Sequence, residues 1–538
     1  MASALLAAGA VPRRVVLLVL LLAALVLGGA AALRSTEYDE TYTRLVTGPV
    51  PRPHWPTTPF TPSEAAAGFE AVVGPAAIAR QLRETDVHPP LYFWLAGAWR
   101  AAGGTSVEAL RALSVLLSVG AVAAFMAAAR AAALPAVATG LATALAYGFA
   151  YTGGVARGFA LAHLLLGVAT LCTVLAWKRR SLASAALAGL AAGGASFTNY
   201  LAVFPAGAVL GWLLIAPVAA GVRLRLLAAA AVPFLLAQLG NLSFFMAQRG
   251  SRPDQFDAFD PIGALVLLGQ FNAANLFGGL PLYAEGLARP VLAAALAALL
   301  AICALAVALR WQALGPTRWL WLGGFVAPSA GLLLLGAVFG TMPIELRYLA
   351  FAAPFAGAML AGAAAGWARA APRLAPAALL AVLIVQAAGA IGMALHPATQ
   401  QTYRHALRAV GPLLGPGTLL LVPHGNDGVG IVGGVLAEAP RDQPLLVIRA
   451  DQADGLPAQT AAHARLVLLG ITDRDGAVQA AAARSALAAD PRWGEARIAW
   501  RDARRGFAAW VYEARRSGAA DGRQGVVVGR AHDGREEP

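Results

Sequence analysis

Charge is scarce in this chain, and lysine is almost absent. Only 13% of its 538 residues are charged, whereas a soluble chain of this length would carry about a quarter. That excludes an ordinary soluble globular protein. Of 41 lysines and arginines only Lys178 is a lysine, a bias that suggests a GC-rich genome and says nothing about substrate. The two cysteines, Cys172 and Cys303, both fall inside apolar runs. They exclude a disulfide framework or a cysteine metal centre and read as small core residues. No nucleic-acid-binding motif and no internal repeat is present, so the net charge of +13 is not a nucleic-acid footprint. Arginines at the ends of membrane helices account for it.

What is abundant is apolar. Hydrophobic residues make up 59% of the chain, the mean hydropathy is +0.64, and long apolar runs recur near the ~20 residues that cross a hydrocarbon core as helix. This is the pattern of an α-helical polytopic membrane protein. Eleven spans are expected, at 15–33, 108–129, 134–152, 158–177, 181–197, 199–221, 226–245, 289–309, 319–339, 347–368 and 374–395. Of these, 134–152 and 181–197 are the shortest-looking. Residues 1–33 resemble a secretory signal, with Arg13 and Arg14 ahead of an apolar run and "GGAAAL"; because further spans follow, they read as a retained first span.

With the amino end inside, the cytoplasmic connections hold Arg130, the cluster Lys178-Arg179-Arg180, Arg223 and Arg225, Arg310 and Arg318, and Arg369 and Arg373. Every inner connection then obeys the positive-inside rule. The first outer loop is 34–107. It shares the outer side with the loop at Arg157, with 246–288 and 340–347, and with everything from His396 on. The expected location is therefore the cytoplasmic (inner) membrane, multi-pass, with a polar site and the C-terminal domain on the periplasmic side. Residues 89–102 read as a helix lying in or dipping into the outer interface, with Tyr92, Trp94 and Trp99 as interfacial aromatics, and 261–284 as an interfacial or groove-lining helix.

Three parts follow: a membrane domain (1–395), a small soluble α/β domain (396–515) and a polar, glycine-rich tail (516–538) expected to be disordered. The α/β reading rests on alternation. "YRHALRAVGPLL" and "AVQAAAARSALAAD" read as helices; "GTLLLVPHG", "PLLVIRAD", "ARLVLLGI" and "FAAWVYEAR" read as strands.

Acidic residues collect on the outer side, among them Asp39, Glu40, Asp86 and Glu345. In "STEYDETYTRL", Ser35 and Thr36 followed by Glu37 and Asp39 look like a helix cap with acids in the first turn. Neighbouring helical residues point about 100° apart, so Asp39 and Glu40 are not expected to do the same job. Arg157 and Arg347, the latter beside Tyr348, stand at outer span ends, where the positive-inside rule disfavours arginine. Two such arginines facing outer carboxylates call for partners, and a phosphate is a good one. Arg249, Arg252 and Asp254 lie on a loop that could close over such a group.

Taken together, "YDETYT" after the first span, "DVHPPLYFWLAGAW", "VARGFAL" opening a later span and "ELRYLAFAAP" late in the membrane region resemble the bacterial GT-C glycosyltransferases of family 39. That family includes protein mannosyltransferases and the aminoarabinose transferase of lipid A. The resemblance covers about residues 1–395, and its most specific pieces are Asp39-Glu40 and His88-Pro89-Pro90-Leu91-Tyr92. It implies inverting transfer from a polyprenyl-phosphate sugar donor to a lipid, glycan or protein acceptor. It also implies Asp39 as general base, Glu40 positioning the acceptor or sharing that task, and Arg157, Arg347, His88 and Tyr348 at the donor phosphate. Asp86 would support by orienting His88, and Glu345 sits beside Arg347. The family does not require a metal throughout, and Asp39, Glu40, Asp86 and His88 form a hard-ligand set that could take a divalent cation. The rival from another class is a transporter or flippase of lipid-linked sugars, which would bury ionisable residues near the bilayer midplane. Here the span interiors are nearly free of charge.

Overall fold

The computed structural model describes residues 5–515 other than 8, 10, 51, 250–255, 398–401, 426, 471–473 and 503–506. The expected disordered tail (516–538) lies outside the described residues, as do Arg252 and Asp254.

All eleven apolar runs are helical. Among the described residues, eight helices are long and apolar enough to cross a membrane: Arg13–Leu33, Val107–Ala131, Phe159–Arg179, Ala220–Gln248, Ala288–Leu309, Trp311–Phe339, Leu346–Ala368 and Leu374–Leu395. The remaining three runs are shorter than expected. Run 134–152 breaks into Ala136–Leu145 and Tyr147–Gly153, because Ala146 adopts an extended conformation between them. Runs 181–197 and 199–221 yield Leu182–Ser196 and Tyr200–Leu214. Exposed leucines such as Leu17, Leu21 and Leu25, or Leu235, Leu236 and Leu239, line the outside of the bundle. In water such faces would be unstable; against lipid tails they cost nothing. The protein is thus a helical, multi-pass membrane protein.

The loop 34–107 is largely helical. It contains Tyr38–Val46, Pro75–Thr85 and Leu91–Gly103. The last of these was expected to set Tyr92, Trp94 and Trp99 in the interface; Trp94 and Trp99 are half-buried, but Tyr92 is fully buried, in edge contact with Phe93, centroids 5.6 Å apart. The helix is a packed part of the protein because its apolar face meets Val46, Ile78, Leu82 and Leu110 in one buried cluster.

The C-terminal unit contains a five-stranded sheet: β1 (Thr418–Pro423), β2 (Leu445–Ile448), β3 (Arg465–Gly470), β4 (Arg497–Asp502) and β5 (Phe507–Glu513), in the order β2-β1-β3-β5-β4. β1 pairs parallel with β2 and β3; β5 pairs antiparallel with β3 and β4. β1 is buried along its whole length, as a strand covered on both faces should be. One covering layer includes Arg474–Ala489, which packs through Ala483 and Leu487. The other is shared with the membrane half: Tyr42, Leu45, Phe60 and Phe69 belong to the same buried cluster as Val422, Val432 and Val435.

Candidate active site

Helix Tyr38–Val46 begins five residues after the first span ends. Its N-cap is Glu37 and not Ser35 or Thr36. Glu37 and Glu40 close a reciprocal capping box, with the Glu37 N–H donating to Glu40 Oε2 at 2.8 Å. Glu37 is itself held by Arg34 (2.8 Å) and by the Tyr151 hydroxyl (2.9 Å). Asp39 therefore sits in the first turn of a firmly capped helix, where a carboxylate is favoured.

Asp39 and Glu40 face different surroundings. Asp39 Oδ2 is ion-paired with Arg347 Nη1, and Arg347 Nε also meets Glu345 Oε2 at 2.6 Å. Arg347 and Tyr348 lie in a 3-10 turn, Leu346–Ala352, that leads into the helix Ala353–Ala368. Glu40 is fully buried on the other side of the helix. Arg111 grips it with Nε to Oε1 at 2.8 Å and Nη2 to Oε2 at 2.6 Å, and the Ala156 N–H adds a bond of 3.0 Å. A carboxylate so saturated and sealed from solvent is not placed to position an acceptor or share the base's task. Arg111 was missed in the sequence because it hides in an apolar run.

The residues Asp86-Val87-His88-Pro89-Pro90 link helix Pro75–Thr85 to helix Leu91–Gly103. Asp86 is buried; its Oδ1 accepts from the Val87 N–H at 2.6 Å and lies 3.0 Å from His88 Nδ1. Arg157 Nη2 completes the cluster, 3.1 Å from Asp86 Oδ1 and 3.0 Å from His88 Nδ1. The Arg157 guanidinium lies 5.2 Å from the Phe93 ring centroid and 5.8 Å from that of Tyr42. Asp86 thus orients both His88 and Arg157. Arg157, expected at the donor phosphate, lines a cavity while ion-paired with Asp86.

Asp39, His88, Arg157, Arg347 and Tyr348 meet on one cavity of about 360 Å³, with Arg249 also on its lining. Through His88, Tyr200, Phe245, Phe339 and Tyr348 it shares walls with a second cavity of about 530 Å³. The second is mainly apolar and runs between Val203, Leu242 and Leu335. A chamber that carries charged side chains among aromatic ones thus adjoins a groove without charge.

Burial alone would raise the Asp39 carboxyl's pKa, but the guanidiniums of Arg347 and Arg157 outweigh it and hold it below its ordinary value. Asp86 is likewise held low, burial being overcome by Arg157 and then His88. Burial, then the neighbouring Arg157, pushes His88 down despite Asp86. Glu345 moves the other way, raised by burial although Arg347 opposes it.

Among the described residues no group of three or more His, Cys, Asp or Glu side chains is placed to hold a metal ion. The set Asp39, Glu40, Asp86 and His88 does not converge. Each of its carboxylates is turned to a different arginine: Arg347, Arg111 and Arg157 respectively.

No protein-family profile and no curated protein matches the chain. Among solved structures it is similar to ArnT from Cupriavidus metallidurans in the apo state, at 14% identity and a TM-score of 0.46 over 92% of this chain and 97% of that one. For the same protein bound to undecaprenyl phosphate the figures are 15% and 0.42 over the same shares. The mycobacterial arabinofuranosyltransferase AftD aligns at 14% identity and a TM-score of 0.43, over 95% of this chain and 42% of that one. These are distant likenesses.

Proposed function

We propose that this protein is an inverting membrane glycosyltransferase that moves a sugar from a polyprenyl-phosphate donor to a lipid, glycan or protein acceptor on the outer face of the cytoplasmic membrane. One observation carries the reading: the Asp39–Arg347 pair stands in a chamber with further arginines on its wall, and that chamber adjoins a mainly apolar groove. A polyprenyl phosphate has the same two parts, an anion and a long apolar chain.

The chemistry follows from the residues. The acceptor hydroxyl oxygen attacks the anomeric carbon, the bond from that carbon to the phosphate oxygen breaks, and the phosphate leaves with the electron pair. The hydroxyl proton passes to Asp39 as general base. Because the leaving group is already a phosphate, no acid need protonate it; its growing charge needs cationic donors. Arg347 supplies the principal one, with Arg157, His88 and Tyr348 around it and Arg249 at the rim.

Arg347 has a double allegiance. Without donor it holds Asp39 as a weak base. A phosphate that draws Arg347 toward itself both loosens that pair and adds negative charge, and each effect raises the Asp39 pKa. Donor binding thereby makes the base stronger. Glu345, already raised, is the carboxyl best able to take up a proton when the phosphate arrives. Asp86 and Glu40 keep supporting roles: Asp86 orients His88 and Arg157, and Glu40 anchors the helix that bears Asp39.

The test is sugar transfer by purified protein in nanodiscs, given radiolabelled polyprenyl-phosphate sugars and a membrane extract as acceptor. Transfer by wild type, lost in Asp39→Asn with the fold intact, supports the reading. Movement of intact donor across the bilayer without transfer would favour the flippase instead.

A further inference from the structure

A helix of nine residues, Tyr38–Val46, is too short to be stable alone, so its neighbours decide where Asp39 points. One face rests on the membrane half through Glu40 and Arg111. The other is held by the C-terminal domain at two points just ahead of Asp39. Just before the helix, the Thr36 N–H and Oγ1 both donate to Glu438 Oε1, at 2.7 and 2.9 Å. Next to Asp39, the Tyr38 hydroxyl donates to Asp427 Oδ2 at 2.7 Å. Asp427 and Glu438 stand at opposite ends of one element, the helix Gly430–Glu438 and the turn before it. Glu438 is fixed in turn by Arg404 Nε at 2.7 Å, and Arg404 Nη1 bonds the Ala32 carbonyl at 2.9 Å, at the end of the first span.

The two helices also lie unusually close. A Cβ on Gly430 would overlap the Tyr38 ring, and one on Gly433 would overlap the Thr41 methyl. The glycines of "GVGIVGG" permit this approach. A glycine-rich turn ahead of a helix could suggest an anion cradle, but here Tyr38 covers it.

We propose that the C-terminal α/β domain is a brace for the helix bearing Asp39, and that Asp427 and Glu438 are positioning residues for the transfer. The inference rests on the reading of Asp39 as the base. The bonds at Thr36 and Tyr38, just ahead of Asp39, together with the close packing of Tyr38 on Gly430 and of Thr41 on Gly433, hold the helix against rotation about its axis, which is the motion that would swing the carboxylate away from Arg347. A displacement of ~1 Å at a reacting group can cost about a hundredfold in rate.

The experiment uses the full chain in nanodiscs with Tyr38→Phe, Asp427→Ala, Glu438→Ala and the double variant Tyr38→Phe/Asp427→Ala. Hydrogen exchange of the amides in 38–46 needs no turnover, and steady-state kinetics supply kcat and donor KM separately. Exchange over 38–46 should rise in each variant while the spans stay protected. In the same variants kcat should fall by about tenfold or more with donor KM within about twofold. The double variant should be no worse than the worse single, because both changes delete one bond. Unchanged exchange in all variants would overturn the brace. Raised exchange with unchanged kcat, or a loss confined to donor KM, would overturn the positioning role. If wild type transfers no sugar yet exchange still responds, the base assignment fails and the brace stands.

Discussion

Asp39 and Glu40 are adjacent in sequence, yet their carboxylates end in different worlds: Asp39 on Arg347 at a cavity, Glu40 sealed beneath the helix on Arg111. Their isosteric amides should therefore fail in different ways. Asp39→Asn should leave thermal stability near wild type and cut transfer by about a hundredfold to ten-thousandfold, the range for a lost general base. Glu40→Gln leaves Arg111 as a buried charge without its counter-charge, which typically costs about 3–5 kcal/mol. Thermal unfolding in detergent, beside transfer rates, separates them. Equal unfolding temperatures for the two variants would contradict the assignment.

Arg347 touches both the base and the place proposed for the phosphate, so pH profiles should reveal its double role. The carboxylate is active when deprotonated, and activity falls as pH drops through its pKa. In the free protein that pKa is depressed, with Arg347 the leading opponent of burial. The acid limb of kcat/KM, which reports free protein, should therefore lie at lower pH than the acid limb of kcat, which reports the donor complex. Arg347→Gln should move the kcat/KM limb upward and weaken donor binding by about tenfold to a hundredfold, as loss of one guanidinium–phosphate contact of ~1.5–3 kcal/mol implies. Coincident limbs in wild type would refute donor-induced activation.

Much of this architecture was legible because a bilayer imposes long apolar runs, and all eleven runs are helical. What misled was length: nothing in "LPAVATGLATALAYGFAYTG" announces that Ala146 interrupts the helix. In the C-terminal domain, four strands are hydrophobic runs and were visible. β4, "RIAWRD", is an edge strand with an exposed, charged surface and was not. Helix Gly430–Glu438 was missed because its glycines look like a loop; their purpose is contact with Tyr38 and Thr41, nearly 400 positions away. The site was read residue by residue more easily than pair by pair. Asp86, His88, Arg157 and Arg347 could be singled out, but the pairing of Asp86 with Arg157 joins chain segments that no local pattern connects.

His88 supplies a stability test. Its folded-state pKa is depressed, first by burial and then by Arg157. The unfolded chain, with an ordinary value of about 6.5, therefore binds the proton more readily than the folded protein does. Stability is full above that value and is lost as pH falls below it toward the lower folded pKa. His88→Asn removes the titration, so the unfolding temperature of the variant should depend less on pH between about 7 and 5 than that of wild type. Parallel curves would show that folding leaves the His88 pKa unshifted.

The apolar groove should read chain length. Its walls include Val203, Leu242 and Leu335, beyond the shared rim of Tyr200, Phe245 and Phe339. Val203 is half-buried on a helix wall, and Val203→Trp would fill the groove without touching the charged chamber. A long polyprenyl phosphate gains its affinity by burying many methylenes, each contributing up to ~0.8 kcal/mol. A short-chain analogue that reaches only the chamber gains none of this. The variant should thus weaken binding of the long-chain donor by about tenfold or more while leaving the short-chain analogue within about twofold, as loss of two or so methylenes would do. Equal loss for both ligands would mean the substitution disturbs the phosphate site itself. No loss for either would place the lipid chain elsewhere on the protein.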